Sequence, residues 1–141
     1  MKTERMALLC LVVLAGAAVI YARPADPGEK KVEPRVFELR TYYVHPGKMD
    51  ALNARFKDHT NKLLEKHGMQ LLGFWTDSKD PGRKLIYLVA HKSKDAADAS
   101  WKAFRDDPDW IAAKKKSEEN GPLVEKVEST WLNPTDYSAL K

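Results

Sequence analysis

The sequence predicts an α+β domain of the ferredoxin-like kind, with a four-stranded antiparallel sheet and two helical regions in the order β-α-β-β-α-β. Three observations carry that expectation. Four runs rich in β-branched and aromatic residues are separated by Gly, Pro and Asp turn residues. Two longer stretches repeat apolar residues at the three- and four-residue steps of a helix. Only a short turn lies between the middle two strands, whereas a helical stretch follows the first strand and another precedes the last.

Residues 35–44 (RVFELRTYYV) make the first strand, free of Gly and Pro until His45-Pro46-Gly47 ends it. Residues 48–67 are helical. Met49, Leu52, Phe56, Leu63 and Leu64 fall on one side, and Lys57, Asp58, Lys62, Glu65 and Lys66 mainly on the other. Gly68 suits the position just past a helix end. Strands over 69–76 and 84–91 follow, joined through Asp80-Pro81-Gly82 as a hairpin. Ser93 is the expected N-cap of a helix over 93–104, whose Ala97, Trp101 and Phe104 share a face. Asp107-Pro108 interrupts that helix, and Pro108 fits the first turn of another reaching Asn120. Gly121-Pro122 stops it, residues 123–132 form the last strand, and 133–141 remain as a tail.

Both faces of the sheet read as apolar. The first strand sets Phe37, Leu39 and Thr41 against Val36, Glu38, Arg40 and Tyr42, and the third sets Leu85, Tyr87 and Val89 against Ile86, Leu88 and Ala90. Strict alternation on the second strand groups Leu71, Gly73 and Trp75 on one side. Helices cover only one face, and the other is a larger apolar patch than soluble monomers usually leave in water. A homodimer is expected, with two sheets packed together as a dimeric α+β barrel.

Ahead of the domain at 35–138, residues 1–22 read as a signal peptide or N-terminal anchor. Lys2 and Arg5 precede an uncharged apolar run over 6–21, whose 16 residues fall short of the ~20 that span a bilayer. The expectation is export to the periplasm or the extracellular space, or membrane anchoring through residues 6–21 if the segment stays uncleaved. Residues 23–34 (RPADPGEKKVEP) have almost nothing to bury and read as a flexible linker. The single cysteine, Cys10, lies in the leader, so the exported domain has no disulfide, thiol nucleophile or cysteine zinc site.

Composition excludes further classes. The net charge is only +4, and the densest basic run, Lys114-Lys115-Lys116, fans around a helix just before Glu118 and Glu119. Nucleic-acid binding needs a continuous basic face with stacking aromatics, which this is not. There is no Gly-rich phosphate loop, no GxSxG elbow and no HExxH; His59 and His67 are eight apart, which matches no common metal spacing. No metal and no cofactor are expected.

Glu38 and Arg40 carry the sharpest signal. Charges in the middle of a strand are costly to bury unless paired, so the two either form a structural ion pair or mark a wet face. On the functional reading Arg40 anchors the carboxylate or enolate of a ligand and Tyr42 supplies a hydroxyl donor. Glu125 and Ser129 share a parity on the last strand and are candidates for the same cavity. His59 falls on the buried stripe of the first helix, as a satisfied core histidine or, if it reaches a cleft, a general base or haem ligand. His67 suits the dipole of a helix C-terminus. His45 and His91 stand at strand ends and are expected to be exposed. The aromatics Trp75, Trp101, Trp110, Trp131 and Tyr87 are mainly core on this reading, with Trp75, Tyr87 and Trp101 also candidates to line a ligand pocket.

The ordered set of Phe37-Glu38-Leu39-Arg40-Thr41-Tyr42 with Pro46-Gly47-Lys48, then Gly68 with Gly73-Phe74-Trp75, resembles the first half of a NIPSNAP domain. Trp101-Lys102-Ala103-Phe104-Arg105 with Asp107-Pro108-Asp109-Trp110, and the closing Pro134-Thr135-Asp136-Tyr137-Ser138, resemble its second half. The likeness covers about 36–138. It implies the ferredoxin-like fold, the dimeric barrel, and ligand entry between the second helical region and the sheet edge. The family's biochemical activity is poorly defined, and related barrels include cofactor-independent monooxygenases and haem-degrading enzymes, an analogy of fold alone. The expected function is an exported dimeric small-ligand-binding or accessory domain. The alternative is a small cofactor-independent monooxygenase or isomerase-like enzyme, with Arg40 orienting a substrate in the barrel cavity and His59 or Tyr42 moving protons. Whether the protein is an enzyme stays open at this level.

Overall fold

The computed structural model describes residues 35–141, so the expectations for the leader and the linker lie outside the described residues. Strand β1 (Val36–Val44) is followed by α1 (Met49–Arg55), a π-helical turn (Phe56–Thr60) and α2 (Asn61–Lys66). Strands β2 (Gln70–Thr76) and β3 (Lys84–His91) come next, then α3 (Lys94–Asp106), α4 (Pro108–Ser117) and β4 (Val124–Leu132). The four strands lie in the order β2-β3-β1-β4 with every pairing antiparallel. This is the predicted ferredoxin-like arrangement, with β1 central and β4 at one edge.

One side of the sheet carries the core. Val44 of β1, Leu85, Tyr87 and Val89 of β3, and Leu52 and Leu64 of the first helical region are all at most 4% exposed. Burying each such side chain contributes on the order of 1.5–3 kcal/mol before entropy is set against it. Tyr87 makes edge contacts with Phe56 and Tyr42 and stacks on Phe74 at 5.3 Å. No helix among the described residues is long and apolar enough to cross a membrane.

The helix ends follow the predicted capping. The Ser93 hydroxyl accepts the Ala96 backbone N–H at 3.1 Å, and Asp107 accepts that of Asp109 at 2.9 Å ahead of Pro108. The same Asp107 carboxylate takes Lys66 at 2.8 Å and His67 at 2.7 Å, tying the end of α2 to the start of α4. These partners hold Asp107 well below the ordinary carboxylate range. His67 thus has a specific hydrogen-bond partner in Asp107 at the helix end.

Three local irregularities redirect side chains that regular geometry would have placed otherwise. The π-helical turn widens the first helix after Arg55, with Asn61 N–H bonded to the Phe56 carbonyl and the Thr60 hydroxyl donating to the Arg55 carbonyl at 3.2 Å. Phe56 and Thr60 are buried there, while His59 is exposed. A β-bulge in β2 between Leu71 and Gly73 brings Leu71 and Phe74 onto the core side, opposite Val89 and Tyr87. Trp75 goes with Gly73 to the far side, so the grouping of Leu71 with Trp75 does not hold. A second irregularity between Tyr43 and Val44 shifts the β1–β4 pairing.

Gly68 closes α2 with φ of +80°, a left-handed conformation costly for any residue with a Cβ. Gly68→Ala is therefore expected to lower stability by about 1–2 kcal/mol, read as a lower urea midpoint with unchanged slope.

Candidate functional site

Glu38 is the centre of a buried polar cluster on the helix side of the sheet. The strand's alternation sends its side chain, with those of Arg40 and Tyr42, under α3, where Glu38 is 1% exposed. One carboxylate oxygen accepts from Arg40 Nη1 at 2.7 Å and Ser129 Oγ at 2.5 Å. The other accepts from Trp101 Nε1 at 2.6 Å and pairs with His91 Nε2 at 3.1 Å. A carboxylate only accepts, so that His91 nitrogen carries its proton. Burial pushes the Glu38 carboxyl up, but His91, Ser129, Arg40 and Trp101 together outweigh it and hold the group at about 2, against an ordinary 4.5.

Arg40 lies between this cluster and open space. Its guanidinium sits 4.2 Å from the Trp101 ring centroid and 5.7 Å from that of Tyr42. Burial acts to lower its basicity, yet the neighbouring Tyr87, Tyr42 and Glu38 more than compensate, so it stays a cation. It uses Nη1 on Glu38, while its Nε is buried without a hydrogen-bond partner. The Tyr87 hydroxyl donates to that of Tyr42 at 3.2 Å, which leaves the Tyr42 proton available to another acceptor. Burial raises the Tyr87 hydroxyl well above the ordinary tyrosine range, so it remains a neutral donor.

Above Arg40 and Tyr42 opens a cleft of about 660 Å³ between the β4 edge and helices α3 and α4. Trp101, Phe104 and Trp110 form its aromatic wall, with Phe104 and Trp110 at 4.5 Å, and Ile111 and the edge residue Val127 also line it. Arg105, Lys114 and Lys115 add positive charge, against Glu118 alone among the acidic residues lining it. A cation over an indole, a hydroxyl and flat apolar walls suit a small anion with a planar apolar body. Among the described residues, no three His, Cys, Asp or Glu side chains cluster as metal ligands would.

Of the residues singled out in the sequence, Arg40, Tyr42 and Trp101 meet in this cleft, with Glu38 and Tyr87 supporting it from below. Trp75 does not join them, because the β2 bulge sends it to the opposite face, where it is 53% exposed. His59 does not join them either. The π-helical turn leaves it exposed in a separate groove of about 410 Å³ with Asp109 and Lys116, not on the buried stripe. Ser129 reaches Glu38, but the shift in β1–β4 register separates Glu125 from it, and Glu125 pairs with Arg83 at 2.9 Å and His45 at 3.5 Å. His91, expected to be exposed, is 3% exposed. Its parity with Tyr87 and Val89 places it on the Glu38 side, and a mid-strand carboxylate in need of donors was the signal that could have found it.

The NIPSNAP family model matches residues 37–139. The chain belongs to the NIPSNAP family. Among solved structures it is similar to a NIPSNAP family protein of unknown function from Agrobacterium tumefaciens, at 21% identity and a TM-score of 0.68, covering 77% of this chain and 96% of that one. A second Agrobacterium tumefaciens NIPSNAP family protein gives 23% identity and a TM-score of 0.67, over 76% and 99% of the two chains. An uncharacterized NIPSNAP-like domain protein from Burkholderia xenovorans gives 16% and 0.67, over 76% and 90%. At these identities the likeness is one of fold. No curated protein matches the chain.

The depressed Glu38 carboxyl is expected to make this NIPSNAP domain acid-sensitive. Its stabilising contribution is complete above the unfolded value near 4.5 and is lost as pH falls towards the folded value of about 2. Urea midpoints are expected to report a loss of about 3 kcal/mol across that window. Glu38→Gln should be less stable at neutral pH and flatter below pH 4.5.

Proposed function

We propose that this NIPSNAP domain is an exported, dimeric small-ligand-binding or accessory module, and that its ligand is a small planar anion held in the Arg40 cleft. The observation that supports it most is the Arg40 guanidinium itself. It lines the cleft, lies over Trp101 and leaves its Nε without a protein acceptor. Holding a cation there by a saturated glutamate presents it to an incoming carboxylate with little reorganisation.

The enzymatic alternative is less well supported by this geometry. A general base working near neutral pH needs a pKa near that value. Glu38 is far below it and fully engaged, and His59 lies in a different groove. Tyr42 remains the residue that could exchange a proton with a ligand bound on Arg40.

The dimer is supported by the far face of the sheet. Leu39, Ile86 and Leu88 lie there with Trp75 and Leu132, the last two 53% and 40% exposed. A second copy packing against that face buries them. Native mass spectrometry should give twice the chain mass, and Ile86→Asp should shift it to monomer; a monomeric wild type would overturn the dimer. N-terminal sequencing of protein recovered from its host should begin beyond the leader if it is exported.

Ligand binding is tested with benzoate and para-biphenyl carboxylate as probes, read through the fluorescence of Trp101 and Trp110. Saturable quenching is expected, weakened at least about tenfold in Arg40→Met and partly restored in Arg40→Lys. Absence of saturable binding by any flat acid would overturn the reading.

A further inference from the structure

We propose that the ligand of this cleft is a dianion, with a second anionic group that Arg55 receives at the far end of the flat body. The inference rests on the reading of the cleft as a ligand site. Beyond Tyr42 and Trp110 the cleft continues into a second hollow of about 330 Å³ lined by Arg55, Pro122, Val124 and Lys126. The two hollows share Tyr42, Trp110, Lys114, Glu118 and Val127, so one elongated molecule can occupy both.

Arg55 repeats at this end what Arg40 does at the other. Arg40 lies 4.2 Å from the centroid of Trp101, and Arg55 lies 5.2 Å from that of Trp110. Each is tethered to one glutamate through Nη1, Arg40 to Glu38 at 2.7 Å and Arg55 to Glu118 at 3.0 Å. Each leaves its Nε buried without a partner. The Arg55 side chain is only 3% exposed, and its remaining contact through Nη1 is the neutral Ser117 hydroxyl at 3.2 Å. A guanidinium buried this deeply and served by one carboxylate has unmet capacity for a second, bidentate acceptor.

The two glutamates differ in a way that sets which end can exchange its partner. Glu38 is locked by four groups and is 1% exposed. Glu118 sits just past the end of α4, its side chain 23% exposed, with Lys114 as a second cation at 4.0 Å. A ligand carboxylate can therefore take the Arg55 fork while Lys114 retains Glu118. The other carboxylate on this hollow, Glu125, is held by Arg83 at 2.9 Å, and Lys126, which also lines it, is paired with Glu128.

The test uses the purified full-length protein and flat diacids of increasing length: terephthalate and the para-linked biphenyl and terphenyl dicarboxylates, each against its monoacid. At least one diacid is expected to bind about tenfold or more tightly than its monoacid. That preference should fall to about one in Arg55→Met/Glu118→Met, which removes both charges together so that neither is left buried alone. Arg55→Lys should restore part of it. If monoacids bind through Arg40 but no diacid exceeds its monoacid, or if the preference survives the double substitution, the second anion site is wrong while the cleft reading stands. If no acid binds, both fall.

Discussion

The structure depends on the burial of one negative charge in the middle of its sheet. A bare carboxylate in the place of Glu38 would cost several kcal/mol of lost hydration, enough to threaten a domain of this size. The fold meets that cost by bringing donors from four elements: Arg40 from β1 itself, His91 from β3, Trp101 from α3 and Ser129 from β4. The requirement fixes more than the charge. It sets the rotation of α3, because the indole nitrogen must point down at the sheet, and the register of β4, because Ser129 must lie opposite Arg40. It also leaves Arg40 stacked and oriented before any ligand arrives.

The cleft follows from how the helical layer is divided. Pro108 cannot continue α3, so the chain turns at Asp107 and restarts as α4 with Trp110 and Ile111 set above the β4 edge. α3 packs Ala97, Trp101 and Phe104 inward, while α4 buries only Ala113. The sheet edge beneath α4 is accordingly less filled. Val127 of β4 keeps 41% of its surface exposed.

Much of this was legible in the sequence. Element order, the hairpin, the Ser93 cap, the Pro108 restart and the left-handed Gly68 all follow from residue types at their positions, because local geometry decides them. The pairing of Glu38 with Arg40 was one of the two readings that charges at an alternating spacing on a strand allow, and the structure selects it. What escaped was set by single-residue irregularities. Alternation and helical spacing assume a constant step, and one extra residue in β2 or one wide turn after Arg55 moves every later side chain without altering composition. Trp75 and His59 were misplaced for that reason. His91 and Arg55 escaped because their roles depend on partners distant in the chain: Glu38 for the first, Glu118 and Trp110 for the second.

Helix α4 is fastened at its ends rather than along its length. At the first end Asp107 is gripped by Lys66 and His67, and at the last Ser117 and Glu118 are gripped by Arg55. Between them only Ala113 is fully buried and Trp110 packs on Phe104 near the first end, so the later turns of the helix have little tertiary packing to oppose transient opening. It behaves as a beam on two supports. Its central amides are expected to exchange with solvent hydrogen through smaller openings than those at its anchored ends, and the span above the cleft has the fewest contacts to give up when a molecule enters.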